Sequence, residues 1–192
     1  MKIIFDFDDV IFDSHAFKQK IFSGLVSFGI PSDIIKDLYI SHRSSFSPFT
    51  LYKDAVEKSG LRISEKSLKS AVTALVENVD SYVDKRIVDL INKIGKENCF
   101  VVTAGDKDFQ KLKVEASLNG VIIPEHCFFV EYKKSEALQK ICEQYPHEPV
   151  IFVDDKSRYM DEANSLHIKN LHPVLYRHDG FEQLSQKIKE LS

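Results

Sequence analysis

Four short, mostly apolar segments, each closed by polar residues, recur along the chain: Lys2–Phe5, Phe100–Thr103, Phe128–Val130 and Val150–Val153. They do not alternate apolar with polar, so they read as strands covered on both faces, the pattern of a parallel sheet. Segments with apolar residues three and four apart lie among them, at Lys85–Ile94, Asp108–Leu118, Ser135–Tyr145 and Ser157–Leu166. That spacing is an amphipathic helix. Strand and crossover helix in alternation predict an α/β fold with a doubly wound parallel sheet. Val174–Tyr176 is expected as a weaker fifth strand.

Residues 14–83 break the alternation. Three or four helical patterns follow one another there with no strand between them, punctuated by Gly29-Ile30-Pro31, by the Ser/Pro-rich stretch Ser41–Pro48 and by Ser59-Gly60. The expectation is a core of residues 1–13 and 84–192, with a small all-helical unit, 14–83, inserted after the first strand. Phe17, Phe22, Phe28, Phe46 and Phe49 are expected to give that unit its own core. A chain of 192 residues has no room for two large domains.

Composition excludes other classes. No apolar run exceeds four residues, against the twenty or so of a membrane span. The net charge of −3 comes with no Lys/Arg block, so no nucleic-acid footprint is visible. Residues 15–80 carry 9 Lys/Arg against 7 Asp/Glu, and the remainder 17 against 22, a weak match to an anionic ligand beneath the insertion. Cys99, Cys127 and Cys142 form an odd set without a CxxC and read as small buried hydrophobes. His167, His172 and His178 lack ligand spacing. A cytoplasmic monomer or weak dimer, without membrane or nucleic-acid partners, is expected.

In an open α/β sheet the ligand crevice lies beyond the carboxyl ends of the strands. The first strand runs into Asp6-Phe7-Asp8-Asp9, where an extended chain puts Asp6 and Asp8 on one side. The last strong strand ends in Asp154-Asp155, the second in Thr103-Ala104-Gly105, and Lys133-Lys134 follows the third. Singly, each has a plain structural reading as a cap, a turn or a solvated pair. Together they place chemistry at consecutive strand ends. If Asp6, Asp8 and Asp155 converge, each like-charge pair near 4 Å costs about 4 kcal/mol at an effective dielectric of about 20. A Mg²⁺ ion, which prefers hard oxygen ligands, would relieve that repulsion. Such a site suits phosphoryl transfer: one carboxylate attacks, a cation neutralises the phosphoryl oxygens, and a second carboxylate handles protons.

These residues resemble the four motifs of the haloacid dehalogenase superfamily, and the resemblance spans the chain. Ile3-Ile4-Phe5-Asp6-Phe7-Asp8-Asp9-Val10 is similar to the family's first motif, Phe100–Thr103 to the second, a lysine opening the next helix to the third, and Val150–Asp155 to the fourth. The resemblance implies a Rossmann-like core with a helical cap. It assigns Asp6 as nucleophile, Asp8 as acid/base, and Thr103, Ala104 and a lysine to the phosphoryl group. Lys134 fits the spacing better than Lys133. Mg²⁺ would be held by Asp6, the backbone carbonyl of Asp8, Asp155 directly and Asp154 through water. Arg43 and His42, in the loop Ser41–Pro48, are the candidates for reaching substrate from the cap. The implied activity is hydrolysis of a small phosphorylated metabolite through an aspartyl phosphate; a phosphomutase, or a weak phosphate-binding or interaction module, is the alternative. Two departures stand out. Asp9 takes the place of a common glycine, and Tyr159 and Met160 stand where the fourth motif often has Asp or Asn, so one partner of the metal or lysine is expected to be missing.

Overall fold

The computed structural model describes residues 1–42, 46–77, 79–177 and 180–192. Arg43, Ser44, Ser45 and His178 therefore lie outside the described residues. Five parallel strands, β1 (Lys2–Phe5), β2 (Cys99–Ala104), β3 (Cys127–Val130), β4 (Val150–Asp154) and β5 (Leu171–Leu175), pair in the order β3-β2-β1-β4-β5. The three central strands are buried almost throughout and the two edge strands only partly. The strand order reverses at β1, where the next strand on one side is β2 and on the other β4. That switch point is where such sheets open a crevice.

Alternation along β1 decides which layer each side chain joins. Ile3 and Phe5 pack with Val101, Ile151 and Val153 on one face, whereas Ile4 packs with Phe100, Val102 and Phe152 on the other. The second face is covered by helices α7 (Ser135–Gln144) and α8 (Ser157–Ser165), through Leu138, Ile141, Tyr159 and Ala163. On the first face lie α5 (Lys85–Ile94), α6 (Lys107–Ser117) and α9 (Gly180–Leu191), contributing Ile87, Ile91, Val114 and Leu184.

Among the described residues, four α-helices and a short 3-10 turn at Val79–Tyr82 run between β1 and α5: α1 (Ser14–Ser27), α2 (Ser32–Ser41), α3 (Pro48–Ser59) and α4 (Glu65–Leu75). Local chemistry sets their ends. The Asp13 carboxylate accepts from Ala16 N at 2.8 Å and caps α1, and Ser64 caps α4 through Ser67 N. Helix α3 stops at Gly60, whose φ of 70° is a left-handed conformation that glycine adopts without a Cβ clash. These helices do not have a core of their own, contrary to the expectation from their phenylalanines. Phe17, Ile21 and Leu51 belong to the same apolar cluster as Phe5 and Val101. The join is aromatic: the Phe17 and Phe109 rings stack with centroids 6.2 Å apart, and Phe49 meets Phe109 edge-on at 6.5 Å.

The fifth strand starts earlier than expected, at Leu171. His172 and Pro173 interrupt its apolar pattern, and Pro173 is tolerated because β5 is an edge strand. Among the described residues, no helix is long and apolar enough to cross a membrane.

Candidate active site

The register brings the ends of β1 and β4 side by side. Phe5 pairs with Val153, and Asp6 N donates to Val153 O at 2.7 Å, so Asp6 and Asp154 leave the sheet as neighbours. Carboxylate oxygens of Asp6, Asp154 and Asp155 all lie within 4.8 Å of one another. Lys134, at the N-terminus of α7, reaches between two of them, with Nζ 2.8 Å from Asp6 Oδ1 and 2.5 Å from Asp154 Oδ2. All three side chains are sealed: Asp6 is 2% exposed, and Lys134 and Asp154 not at all. Of the pair Lys133-Lys134, Lys134 is at the carboxylates and Lys133 is exposed.

Burial disfavours the charged form of Asp6 and lifts its pKa to about 6, with Lys134 opposing and Asp154 and Asp8 adding to the rise. Asp154 and Asp155 are pushed above the usual carboxylate range, also chiefly by burial. Burial alone would lower Lys134, but the charges of Asp6 and Asp154 outweigh it and hold the ammonium protonated. Asp6 Oδ1 accepts from Phe7 N at 2.7 Å as well as from Lys134. Its Oδ2 accepts no hydrogen bond among the described residues, and Asp6 lines the cavity above the strand ends.

The three carboxylates suit a hard divalent cation. Asp155 Oδ1 is buried and accepts no hydrogen bond, having only Lys156 Nζ at 3.4 Å. Raised pKa values on clustered acids are what a cation would relieve. Lys156, absent from the sequence expectations, has its own pKa raised: burial opposes this, but Asp6, Asp155, Asp8 and Asp154 outweigh it.

Asp8 faces the same cavity as Asp6. Its carboxylate stands outside the acidic trio, because α6 supplies better partners. Lys113 Nζ is 2.6 Å from Oδ1, Gln110 Nε2 donates to Oδ2 at 2.6 Å, and Ser14 Oγ donates to Oδ1. Burial alone would raise its pKa, yet these partners, Lys113 first, bring it down to about 2. Gln110 and Lys113 were not anticipated. Their signal was two polar side chains among Phe109, Val114 and Ser117 on the buried stripe of α6.

Thr103 is fully buried near the end of β2, and its Oγ1 has no partner among the described residues; Ala104 lines the cavity. Asp9 adopts φ of 63°, which explains why glycine is at home there. The partner expected to be missing at Tyr159 has a substitute: the ring lies 4.5 Å from Lys134 Nζ, and its hydroxyl donates to Tyr132 O at 3.0 Å. Asp161 is exposed. His42 does not line the cavity but pairs with Asp54 at 3.0 Å. The insertion instead presents Phe17, Lys18, Ile21, Tyr39 and Phe46 to a cavity of about 610 Å³. Burial pushes the thiols of Cys99 and Cys127 up to about 12 and that of Cys142 to about 11, as inert cysteines require.

No family model and no curated protein matches the sequence. Solved structures do match. A protein from Burkholderia xenovorans described as a haloacid dehalogenase-like hydrolase aligns over 99% of this chain and 88% of its own, with TM-score 0.73 and 17% identity. The magnesium-bound HAD-hydrolase YfnB of Bacillus subtilis covers 91% and 86%, with TM-score 0.56 and 17% identity. The β-phosphoglucomutase of Clostridium difficile covers 98% and 97%, with TM-score 0.52 and 17% identity. The chain thus has the fold of the haloacid dehalogenase-like hydrolases.

Proposed function

We propose that the protein is a Mg²⁺-dependent phosphomonoester hydrolase acting on a small phosphorylated metabolite, with residues 14–83 as a cap over the site. The observation that carries this reading is Asp6 itself: a buried carboxylate with one oxygen held by Lys134 and Phe7 N, the other unbonded, and two further acids beside it. The magnesium-bound neighbour of the same fold supports the choice of metal.

Asp6 Oδ2 attacks phosphorus, the bond to the alcohol oxygen breaks, and an aspartyl phosphate forms on Asp6. Lys134 and the Thr103 hydroxyl meet the phosphoryl oxygens, and Ala104 forms the wall beside them. Asp6, Asp155, the Asp8 backbone carbonyl and, at one remove, Asp154 would hold Mg²⁺, which supplies charge neutralisation of the phosphoryl oxygens when bound. Asp8, ionised far below neutral pH, is in the form that takes a proton from the water hydrolysing the acyl phosphate. To protonate the departing alcohol, Asp8 must enter as the acid, having let go of Lys113 and taken a proton from solvent; the water step, which breaks the bond between Asp6 and phosphorus and frees inorganic phosphate, returns that proton to it.

The test is release of inorganic phosphate from sugar phosphates, nucleotides, phosphoglycolate and phenyl phosphate, with Mg²⁺ or chelator, for wild type and Asp6→Asn. Mg²⁺-dependent release that vanishes in Asp6→Asn is the expected result. An isomeric phosphate without released phosphate would assign a mutase instead, and no turnover of any substrate by the folded protein would defeat the reading.

A further inference from the structure

Four of the described residues lining the 610 Å³ cavity are cations, and they divide into two kinds. Lys113 is paired with Asp8, and Lys156 with Asp155. Lys18 and Arg158 have no carboxylate within ion-pair distance among the described residues. Lys18 Nζ sits 4.6 Å from the Tyr39 ring and 5.8 Å from that of Phe22. Arg158 lies 4.6 Å from the Tyr159 ring and donates to its hydroxyl at 3.0 Å. Aromatic faces orient a cation without cancelling its charge. Each cation is thereby aimed while its charge stays unneutralised, and a concave wall concentrates the resulting positive potential.

Their position decides what they can meet. The phosphoryl group, on the phosphatase reading on which this inference rests, lies at the strand ends against Asp6 and Lys134. Lys18 belongs to the helical layer facing those strand ends, beside Tyr39 and Phe46, and Arg158 stands exposed at the start of α8. The part of the substrate between these groups is the alcohol half. We infer that the alcohol half of the substrate carries a second anionic group, a carboxylate or another phosphate, met by Lys18 and Arg158 as its carbon frame lies against Tyr39 and Phe46.

Three phosphates test this in the presence of Mg²⁺: phenyl phosphate, 4-carboxyphenyl phosphate and phenylene 1,4-bisphosphate. The expected result is a kcat/KM at least about tenfold higher for one or both anion-bearing esters, the scale of a hydrogen bond to a charged group. The carboxylate and bisphosphate arms tell which anion is meant. The preference should shrink in Lys18→Gln and in Arg158→Gln and disappear in the double variant. Equal kcat/KM for all three esters, or an undiminished preference in the double variant, overturns the inference and leaves the phosphatase reading standing. If none of the three esters is hydrolysed, the phosphatase reading is decided by the wider substrate panel above, and calorimetric titration with benzylphosphonate and 4-carboxybenzylphosphonate decides the inference separately. Binding at least about tenfold tighter for the carboxylated compound, lost in the double variant, supports it; equal affinities overturn it.

Discussion

Replacing Asp6, the proposed nucleophile, should make the metal-free protein more stable. Asp6 is essentially unexposed, and its pKa rises from 3.8 to about 6 on folding. A group whose folded pKa is raised binds its proton more tightly in the native state, so its penalty is absent below about pH 3.8, grows with pH, and is complete above about pH 6. At about 1.4 kcal/mol per pH unit, the charged form costs about 3 kcal/mol at neutral pH. Asparagine keeps the shape of the neutral acid without the charge. In a chain of this length 1 kcal/mol moves Tm by about 2–4 °C. Asp6→Asn should therefore melt about 6–12 °C above wild type at pH 7.5 in chelator, and close to it at pH 4. Asp6 also helps to hold the Asp155 pKa up, so its replacement relieves that neighbour as well and adds to the gain. Calorimetric melts of the two proteins in chelator from pH 4 to 7.5 give the answer. If Asp6→Asn melts at or below wild type at pH 7.5, the Lys134 pairing outweighs burial and the reasoning fails.

Three further outcomes follow from the same geometry. Saturating Mg²⁺, at about a hundred times its Kd, should stabilise wild type by about 2.7 kcal/mol, and thermal melting of Asp155→Asn should show little of this gain. Lys134→Met leaves Asp6 and Asp154 buried without their cation; denaturant unfolding at pH 7.5 should show a loss of about 3–5 kcal/mol. Lys113 is the first of the partners, with Ser14 and Gln110, that lower the Asp8 pKa to about 2, so their contribution is present above pH 3.8 and lost as pH falls through 2. Lys113→Met should therefore be less stable by about 2 kcal/mol at pH 7, with the gap closing in acid. A gap independent of pH would assign Lys113 to packing alone.

What could be read from the chain was what local pattern controls. The strands β1, β2 and β4 were legible because a strand buried on both faces is apolar without interruption, and the acids that follow them inherit their position from the strand. The edge strand β5 was displaced because partial burial lets His172 and Pro173 into its pattern. Helix α9 is absent from the expected elements, although Leu184, Ile188 and Leu191 recur at helical spacing. The clamp on Asp8 was beyond reach, since Gln110 and Lys113 meet it across about a hundred residues and only the packing of α6 under the insertion brings them together. The same packing explains why the expected separate core does not exist: Phe17 and Phe49 found a partner in Phe109.

Ser14, Phe17, Lys18 and Ile21 all line the cavity, and they are spaced three and four apart on α1, so a single stripe of one helix forms much of that wall. A helix turns roughly 100° per residue. Adding or deleting one residue between Asp9 and Asp13 would swing all four side chains out of the cavity at once, Ser14 leaving Asp8 in the same movement. Point substitutions along the stripe have no such effect. On the phosphatase reading, single replacements along the stripe change the cavity wall one side chain at a time, whereas the length of the connection entering α1 sets the position of all four.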